Sequence, residues 1–287
     1  MQIDRNLEQR FSLVRVISCC AALSAVAYLV TTRSLAIQES RAAVAPAGSQ
    51  IVEDLVVANR ILANEGVLDG LGHVSVRHDQ RPDRFFLSRD LAPSLVTAAD
   101  LMEFDLDGNP VDRQGRQMYQ ERFIHAAIYK ARPDVKSVVH AHTPSVIVFA
   151  DSSVPLRPTH NQAAFLVGGV PVFEIREVEG ATGMLVNDHR TGTALAQRLG
   201  DKPVALMRGH GVVVVGRNIP EAVSRAIFLD VNARVQAQAI ALGGTVKYLG
   251  PEDLVPPASA PPATSAQPAT VVYPRSWEFW KQRAMGK

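Results

Sequence analysis

The chain has 287 residues, of which 47% are hydrophobic and 20% are charged, a composition far too apolar for a disordered protein. The formal net charge is +2, and beyond residue 36 the chain carries 26 basic and 26 acidic side chains. This balance argues against a nucleic-acid partner, because binding to phosphates needs a basic face. Both cysteines, Cys19 and Cys20, lie in the N-terminal apolar run, so any later metal site must use histidine and carboxylate ligands.

The N-terminus has the composition of a targeting segment. Three arginines precede an uncharged run at 16–32, which is longer than most signal-peptide cores of about 7–15 residues and slightly shorter than a membrane span of about 20. We therefore predict a signal peptide or membrane anchor at 1–36 and a linker at 37–50. The domain is then expected to be exported to the periplasm or tethered to the membrane. The alternative is a start site placed too far upstream on a cytoplasmic enzyme.

Helices and strands are predicted to alternate from residue 51 onwards. The first half is predicted to hold a helix between the N-cap Ser49 and Gly66, strands at 73–77 and 84–87, a short helix at the capping box of Thr97 and Asp100, and a hairpin turn at 107–109 between 102 and 111. The second half is predicted to hold a helix at 120–131, a strand at 136–141, a helix from 144, a strand at 170–175, a helix from 188 to 199, strands at 204–207 and 212–215, and a helix at 221–242. These elements predict a sheet with helices packed on it.

The composition changes sharply after residue 250. Six prolines lie between 251 and 268, which predicts an extended tether at 251–270. The tail that follows, 271–287, contains Trp277 and Trp280 among charged residues. Each tryptophan has a large apolar surface that favours burial, so both are expected to dock either on their own domain or on a neighbouring subunit.

Four residues carry the candidate chemistry. His140 and His142 are two apart in a predicted strand and therefore share one face, which is the arrangement of a metal chelate. His210 lies between two glycines that allow close backbone approach. Glu121 opens the helix before the His-x-His strand, and His125 lies one turn later on the same face. Taken singly, each residue is also explained as a turn, cap or buried polar residue.

In combination, these segments resemble the class II aldolase/adducin family over about residues 51–250. The matching segments are GHVSVR at 72–77, ERFIHAAIY at 121–129, RPDV at 132–135, HAHTPS at 140–145 and GHG at 209–211. The resemblance implies a three-layer α/β/α sandwich with a largely antiparallel sheet, assembled as a homotetramer with active sites at subunit interfaces. It also implies that His140, His142 and His210 bind a divalent metal. Glu121 would coordinate the metal at rest and transfer a proton once substrate arrives.

The chemistry of these ligands agrees with that assignment. Three imidazoles and a carboxylate suit Zn²⁺, with Mn²⁺, Fe²⁺ and Co²⁺ as alternatives that the order of affinities places below zinc. Such a centre polarises a carbonyl group and stabilises the enolate left when a carbon–carbon bond breaks. The chain is therefore predicted to be a metal-dependent lyase.

Departures from the sugar-phosphate members of the family indicate a branch. His73 replaces the asparagine of their phosphate loop, and the segment 87–93 replaces their Ser-Gly pair. Arginine suits a carboxylate, although either arginine here is equally explained as a surface ion pair. The candidate substrate-binding residues are His73, Ser75, Arg77, Ser88 and Arg89.

The sequence from 92 to 100 and the residues 122–124 resemble decarboxylase-like members that act on hydroxy-carboxymuconic semialdehydes or dihydroxyphthalate-type acids. We therefore predict decarboxylation of a hydroxylated aromatic or muconic-type carboxylic acid. Two alternatives stay open at this point: an aldolase or epimerase of a sugar phosphate, and a non-catalytic interaction domain like the adducin head.

Overall fold

The computed structural model describes residues 47–178, 180, 183–254 and 274–286. The described strands and candidate site residues lie in one compact unit, Ile51–Lys287. Within the described ranges, none of the helices combines the length and apolar character needed to cross a membrane. The predicted signal peptide or anchor at 1–36 lies outside the described residues, as do 37–46 of the predicted linker and 255–270 of the predicted tether.

In the part of the chain that the structure describes, seven strands form a single sheet. They are β1 (His73–Arg77), β2 (Arg84–Ser88), β3 (Leu101–Asp105), β4 (Ser137–Ala141), β5 (Val172–Phe173), β6 (Val204–Met207) and β7 (Gly211–Gly216). Their order is β3-β2-β1-β4-β7-β6-β5, and only the β5–β6 pair of this sheet is parallel. Strand β4 is central, with His140 opposite His73 on one side and opposite Val213 on the other.

Helices cover both faces of the sheet. They are α1 (Ala47–Asn64), α2 (Arg122–Ala131), α3 (Pro144–Ala150), α4 (His189–Leu199), α5 (Ile219–Ala241) and α6 (Pro274–Ala284). Alternate strand residues face two separate hydrophobic cores. In β7, Val212 and Val214 pack with α1, α3 and α5, whereas Val213 and Val215 pack with α2 and α4. The fold is therefore the predicted α/β/α sandwich with a largely antiparallel sheet.

Two predicted helix starts carry the capping residues that the sequence indicates. Asp188 Oδ1 accepts from the backbone N–H of Thr191 at 2.8 Å and so begins α4 as predicted. The capping box of Thr97 and Asp100 is present, but it starts only a short 3-10 turn.

Three predicted elements differ from the structure. Helix α1 begins at Ala47, inside the segment predicted as a linker. The strand predicted at 170–175 is reduced to Val172–Phe173, because a 3-10 turn begins at Ile175. The chain after the turn at 107–109 forms only an isolated bridge between Phe104 and Pro110, since proline has no N–H for a second strand.

The C-terminal helix docks on its own domain. Trp277 and Trp280 are 7% and 6% exposed and join the core formed with α1 and α5. The ring of Trp280 lies edge-on to Phe228, with 5.7 Å between the ring centroids. An ion pair of 3.3 Å between Arg283 and Glu65 ties the helix to the segment after α1. Burial of two tryptophans accounts for this placement, which is the first of the two alternatives for the tail.

Candidate metal centre

Four side chains come together at the end of strand β4. Glu121, His140, His142 and His210 each offer one ligand atom, and these atoms all lie within 4.8 Å of one another. The Nε2 atom of His142 is 3.1 Å from Nε2 of His140 and 3.2 Å from Nε2 of His210. The Oε2 atom of Glu121 is 3.3 Å from Nε2 of His140 and 3.5 Å from Nε2 of His210. The structure thus brings together the four residues that the sequence predicted as ligands.

The three histidines are placed by the middle of the sheet. His140 is the fourth residue of β4 and is held by ladders to β1 and β7 on either side. His142 follows directly after the strand. His210 occupies the tight turn between β6 and β7, where Gly209 has a φ of 64°, a conformation that favours glycine. Backbone constraints therefore set the positions of all three imidazoles.

Glu121 reaches the histidines from the start of helix α2. Its Oε1 atom accepts a hydrogen bond from the backbone N–H of Val186 at 3.2 Å, which leaves Oε2 directed at the imidazoles. Burial alone raises the pKa of Glu121, but His140 and His210 oppose this effect and leave the pKa well below its ordinary value. The carboxylate is therefore ionised at neutral pH, as a metal ligand must be.

The hydrogen bonds behind the imidazoles test whether the site fits a cation. Nδ1 of His140 lies 3.1 Å from the backbone oxygen of Val212, and Nδ1 of His142 lies 3.2 Å from the carboxylate of Asp69. These acceptors keep the proton on Nδ1, so the Nε2 lone pairs of both rings face each other. Facing lone pairs repel each other unless a cation lies between them.

Four of the six separations between these atoms agree with ligands around one metal ion. Ligands at about 2.0–2.1 Å from a zinc ion are about 3.3–3.4 Å from one another. These four separations are 3.1–3.5 Å, and the remaining two pairs lie within 4.8 Å. The residues present therefore fit a divalent metal.

A chain of buried polar groups adjoins this centre. The ring of His73 is 5.1 Å from the ring of His140, and its Nδ1 is 2.7 Å from Nε2 of His125. Nδ1 of His125 is 2.6 Å from Oγ of Ser75, which is 2.7 Å from the hydroxyl of Tyr129. Ser75 is fully buried with both neighbours inside the protein, so its predicted contact with substrate is corrected to an internal role.

Arg77 is also corrected. Its guanidinium donates to the backbone oxygens of Val135 at 3.0 Å and Arg132 at 3.1 Å, and it further contacts the carbonyls of Pro82 and Tyr129. Each of its three guanidinium nitrogens therefore already donates to a backbone carbonyl oxygen inside the protein. The prediction that Arg77 binds substrate is wrong: this side chain ties β1 to the end of α2.

Ser88 and Arg89 have different outcomes. The hydroxyl of Ser88 donates its one proton to the hydroxyl of Tyr119 at 3.4 Å, so its predicted substrate contact is corrected to an internal one. Arg89 donates through Nε to Asp100 at 2.7 Å, and its side chain is 38% exposed. Its terminal amino groups make no hydrogen bond to the residues that the structure describes. Substrate binding by Arg89 therefore stays a prediction.

Sequence reasoning missed two residues beside the centre. Asp69 lies in the turn before β1, where its carboxylate accepts from the backbone N–H groups of Leu71 at 2.9 Å and Gly72 at 2.7 Å. Its carboxylate also orients His142. His125 was noted on the face of Glu121 without a role. The helical spacing of four residues was its signal, whereas Asp69 gave none beyond its place just before β1.

Comparisons with known proteins agree with this geometry. A family model described as Class II Aldolase and Adducin N-terminal domain matches residues 53–237. The chain is 38% identical over 204 residues to Decarboxylase tropJ of Talaromyces stipitatus, which covers 67% of this chain and 77% of that protein. It is 31% identical over 217 residues to the 3,4-dihydroxyphthalate decarboxylase of Arthrobacter keyseri, which covers 70% and 84%.

A solved structure shows the same fold. L-fuculose 1-phosphate aldolase from Glaciozyma antarctica PI12 is 28% identical and superposes with a TM-score of 0.59, covering 71% of this chain and 78% of that chain. The family match spans well over half of the chain and includes all four residues of the cluster. The chain therefore belongs to the class II aldolase and adducin N-terminal domain family, and it is a lyase.

Proposed function

We propose that the protein decarboxylates a hydroxylated aromatic or muconic-type carboxylic acid with the help of a divalent metal, Zn²⁺ before Mn²⁺, Fe²⁺ or Co²⁺. The observation that carries the proposal is the convergence of three imidazoles and one carboxylate. Relatives whose names include 3,4-dihydroxyphthalate decarboxylase support the substrate class. Zinc is preferred because it favours nitrogen ligands in tetrahedral geometry and outranks the other three metals in affinity.

In this proposal, Glu121, His140, His142 and His210 hold the metal. When bound, the metal supplies positive charge that stabilises the electrons left behind as carbon dioxide departs. Glu121 is also the one carboxylate in the cluster, so it is the group that can move a proton next to the substrate.

The proton passes through Glu121 in two directions. The ionised carboxylate first removes the proton of a substrate hydroxyl group and then delivers it to the ring carbon that carries the carboxylate. The carbon–carbon bond breaks, carbon dioxide leaves, and the electron pair returns through the ring to the hydroxyl oxygen. Water then protonates that oxygen. Overall, one carboxylate and one proton give one carbon dioxide and the decarboxylated phenol.

Release of carbon dioxide tests the reaction. Zinc-loaded protein is incubated with 3,4-dihydroxyphthalate and related hydroxylated aromatic and muconic acids, and separately with L-fuculose 1-phosphate. We expect carbon dioxide from at least one acid and no cleavage of the sugar phosphate. Cleavage of the sugar phosphate alone would select the aldolase alternative, whereas no turnover of any of these compounds would overturn the proposed substrate class.

Variants separate metal binding from proton transfer. Glu121→Gln should keep substantial zinc but lose most of its turnover, because the amide oxygen can still coordinate but cannot carry the proton. His210→Ala should lose zinc and turnover together. His189→Ala is the control, since this histidine is exposed at the start of α4. Full zinc occupancy in His210→Ala would contradict the ligand assignment.

We also propose that Arg89 binds the substrate carboxylate with its terminal amino groups, while Asp100 holds Nε. Arg89→Lys keeps the charge but loses the planar pair of donors. The value of kcat/KM should then fall by about 10- to 100-fold, equivalent to about 1.4–2.8 kcal/mol, with zinc content unchanged. Unchanged kinetics in both Arg89→Lys and Arg89→Ala would remove this residue from the site.

We also propose an oligomeric state and a cellular location for the protein. The family resemblance supports a homotetramer with active sites at subunit interfaces, and light scattering on the purified protein tests it. The uncharged run at 16–32 supports export to the periplasm or an N-terminal membrane tether. Fractionation that finds the unprocessed chain in the cytoplasm would overturn the proposed location.

A further inference from the structure

The buried chain beside the metal centre has a defined order. It runs from the Tyr129 hydroxyl to Ser75 Oγ over 2.7 Å, from Ser75 to His125 Nδ1 over 2.6 Å, and from His125 Nε2 to His73 Nδ1 over 2.7 Å. Each of the four residues is at most 1% exposed. Every hydrogen bond in the chain is therefore made between protein groups and is shielded from solvent.

The direction of these hydrogen bonds is fixed at the tyrosine end. A tyrosine hydroxyl has one proton to donate, and burial raises the pKa of Tyr129, so the proton stays on. Among the described residues, Ser75 Oγ is the one acceptor within hydrogen-bonding distance of this hydroxyl. The neighbouring backbone N–H of Val138 can only donate. Leaving the proton without an acceptor in the interior is costly, so Tyr129 donates to Ser75.

The remaining proton positions follow in sequence. Ser75 accepts from Tyr129, so its own hydroxyl proton goes to Nδ1 of His125. Burial, with a smaller contribution from His140, lowers the pKa of His125 to about 3, so this ring is neutral and has a single N–H. That N–H is on Nε2 and donates to Nδ1 of His73. Because Nδ1 of His73 accepts this hydrogen bond, it carries no proton, and the ring proton of His73 is on Nε2.

We propose that this chain of hydrogen bonds holds the ring of His73 as its Nε2–H tautomer. We further propose that the Nε2–H group donates to an anionic oxygen of the substrate at the metal centre. The ring of His73 lies between those of His140, at 5.1 Å, and Tyr119, at 4.4 Å. Its Nδ1 is used by His125, and its Nε2 has no hydrogen-bond partner among the described residues.

The fixed tautomer matters because a carboxylate or phenolate oxygen only accepts hydrogen bonds. An Nε2 lone pair in the same place would repel such a group. His73 is thus a substrate-binding residue for an acidic compound, and Ser75, His125 and Tyr129 are positioning residues that act through it. This assignment rests on the proposed decarboxylase function, but the tautomer itself does not.

Neutron diffraction of the deuterated, zinc-loaded protein without substrate shows the proton positions directly. We expect deuterium on Nε2 of His73 and of His125, and none on Nδ1 of either ring. Deuterium on Nδ1 of His73 would overturn the proposal. Since no substrate is present, this result does not depend on whether the protein decarboxylates any acid. If the wild-type protein released no carbon dioxide, only the proposed function would fail.

Kinetics then test the donor. His73→Leu should lower kcat/KM by about 10- to 100-fold, the effect expected for losing a hydrogen bond to a charged group. His73→Gln, whose amide offers an N–H at similar reach, should retain most of the activity. Equal losses in the two variants, or no loss in His73→Leu, would contradict the donor role.

The positioning residues have a matched control. Tyr129→Phe removes the group that sets the direction, so both His73 tautomers become accessible and kcat/KM should fall several-fold with zinc content unchanged. Ser137→Ala removes another buried hydroxyl, 2.9 Å from the backbone oxygen of Ser75, that is outside the chain and should leave kcat/KM unchanged. Urea unfolding confirms that both variants are folded. Neutron diffraction of Tyr129→Phe that finds the His73 proton on Nε2 alone would show that the tyrosine does not set the tautomer.

Discussion

Gly211 links the sheet to the metal centre, and Gly211→Ala tests that link. A Cβ atom at this position would lie 2.2 Å from the backbone oxygen of Ala141 and 3.2 Å from Cδ2 of His142. Carbon and oxygen atoms in contact are about 3.3–3.6 Å apart, so β4 and β7 would have to separate by about 1 Å. Overpacking of this kind costs about 1–3 kcal/mol of stability.

The separation would occur between His142 and His210, since Gly211 directly follows His210. Zinc affinity should therefore fall by at least about 10- to 100-fold, the range seen when only the supports of metal ligands are lost. Competition with a chromophoric chelator measures the affinity, and urea unfolding measures the stability. Gly211→Ala with the zinc affinity of the wild type would refute the argument.

The control is Gly216→Ala at the opposite end of the same strand. Its Cβ would lie 2.5 Å from the backbone nitrogen of Ala222, so this variant should also lose stability. It lies far along β7 from the histidines, and its zinc affinity should match that of the wild type. An equal loss of zinc in both variants would mean that destabilisation alone explains the effect.

Three further changes test other parts of the structure. In metal-free protein, the stability contributed by neutral His125 is present above pH 6.5 and is lost as the pH falls toward 3. Urea unfolding from pH 7 to 5 measures this loss. The free energy of unfolding should change less steeply with pH in His125→Gln, by up to about 1.4 kcal/mol per pH unit. Trp280→Ala should cost about 3–5 kcal/mol of unfolding free energy, whereas Phe279→Ala, at a side chain 55% exposed, should cost less than about 0.5 kcal/mol. Asp69→Asn keeps an oxygen for its turn but loses the negative charge beside His142, so zinc affinity should fall by about tenfold in the chelator assay.

The strands around the site could be predicted almost to the residue. Strand β1 has its predicted bounds, and β2 is one residue longer, because each is a short buried run bounded by turn residues. The run at 170–175 is also rich in apolar residues but gains a partner only at Val172 and Phe173, which pair with β6. Composition shows that a segment can form a strand, whereas the neighbouring chain decides how much of it does.

The same distinction applies to the site. The four clustered residues could be predicted because few chemical purposes other than metal binding need two histidines on one strand face with a third histidine and a carboxylate nearby. Arg77 could not be assigned correctly, because the carbonyls of Val135 and Arg132 that surround it come from a distant part of the sequence. Residue type predicts which groups a side chain can bind. Only the fold shows which of those groups lie close enough to bind it.

The metal centre and the hydrogen-bond chain depend on one register between β1 and β4. His73 lies opposite His140, and a shift of either strand by one residue would turn the histidine of that strand toward the other core. Along α2, Glu121, His125 and Tyr129 are four residues apart and so face the sheet together. The register that brings His140 to Glu121 therefore also brings His73 to His125. A change that shifts this register should abolish zinc binding and the Nε2–H tautomer together, whereas Tyr129→Phe should affect the tautomer alone.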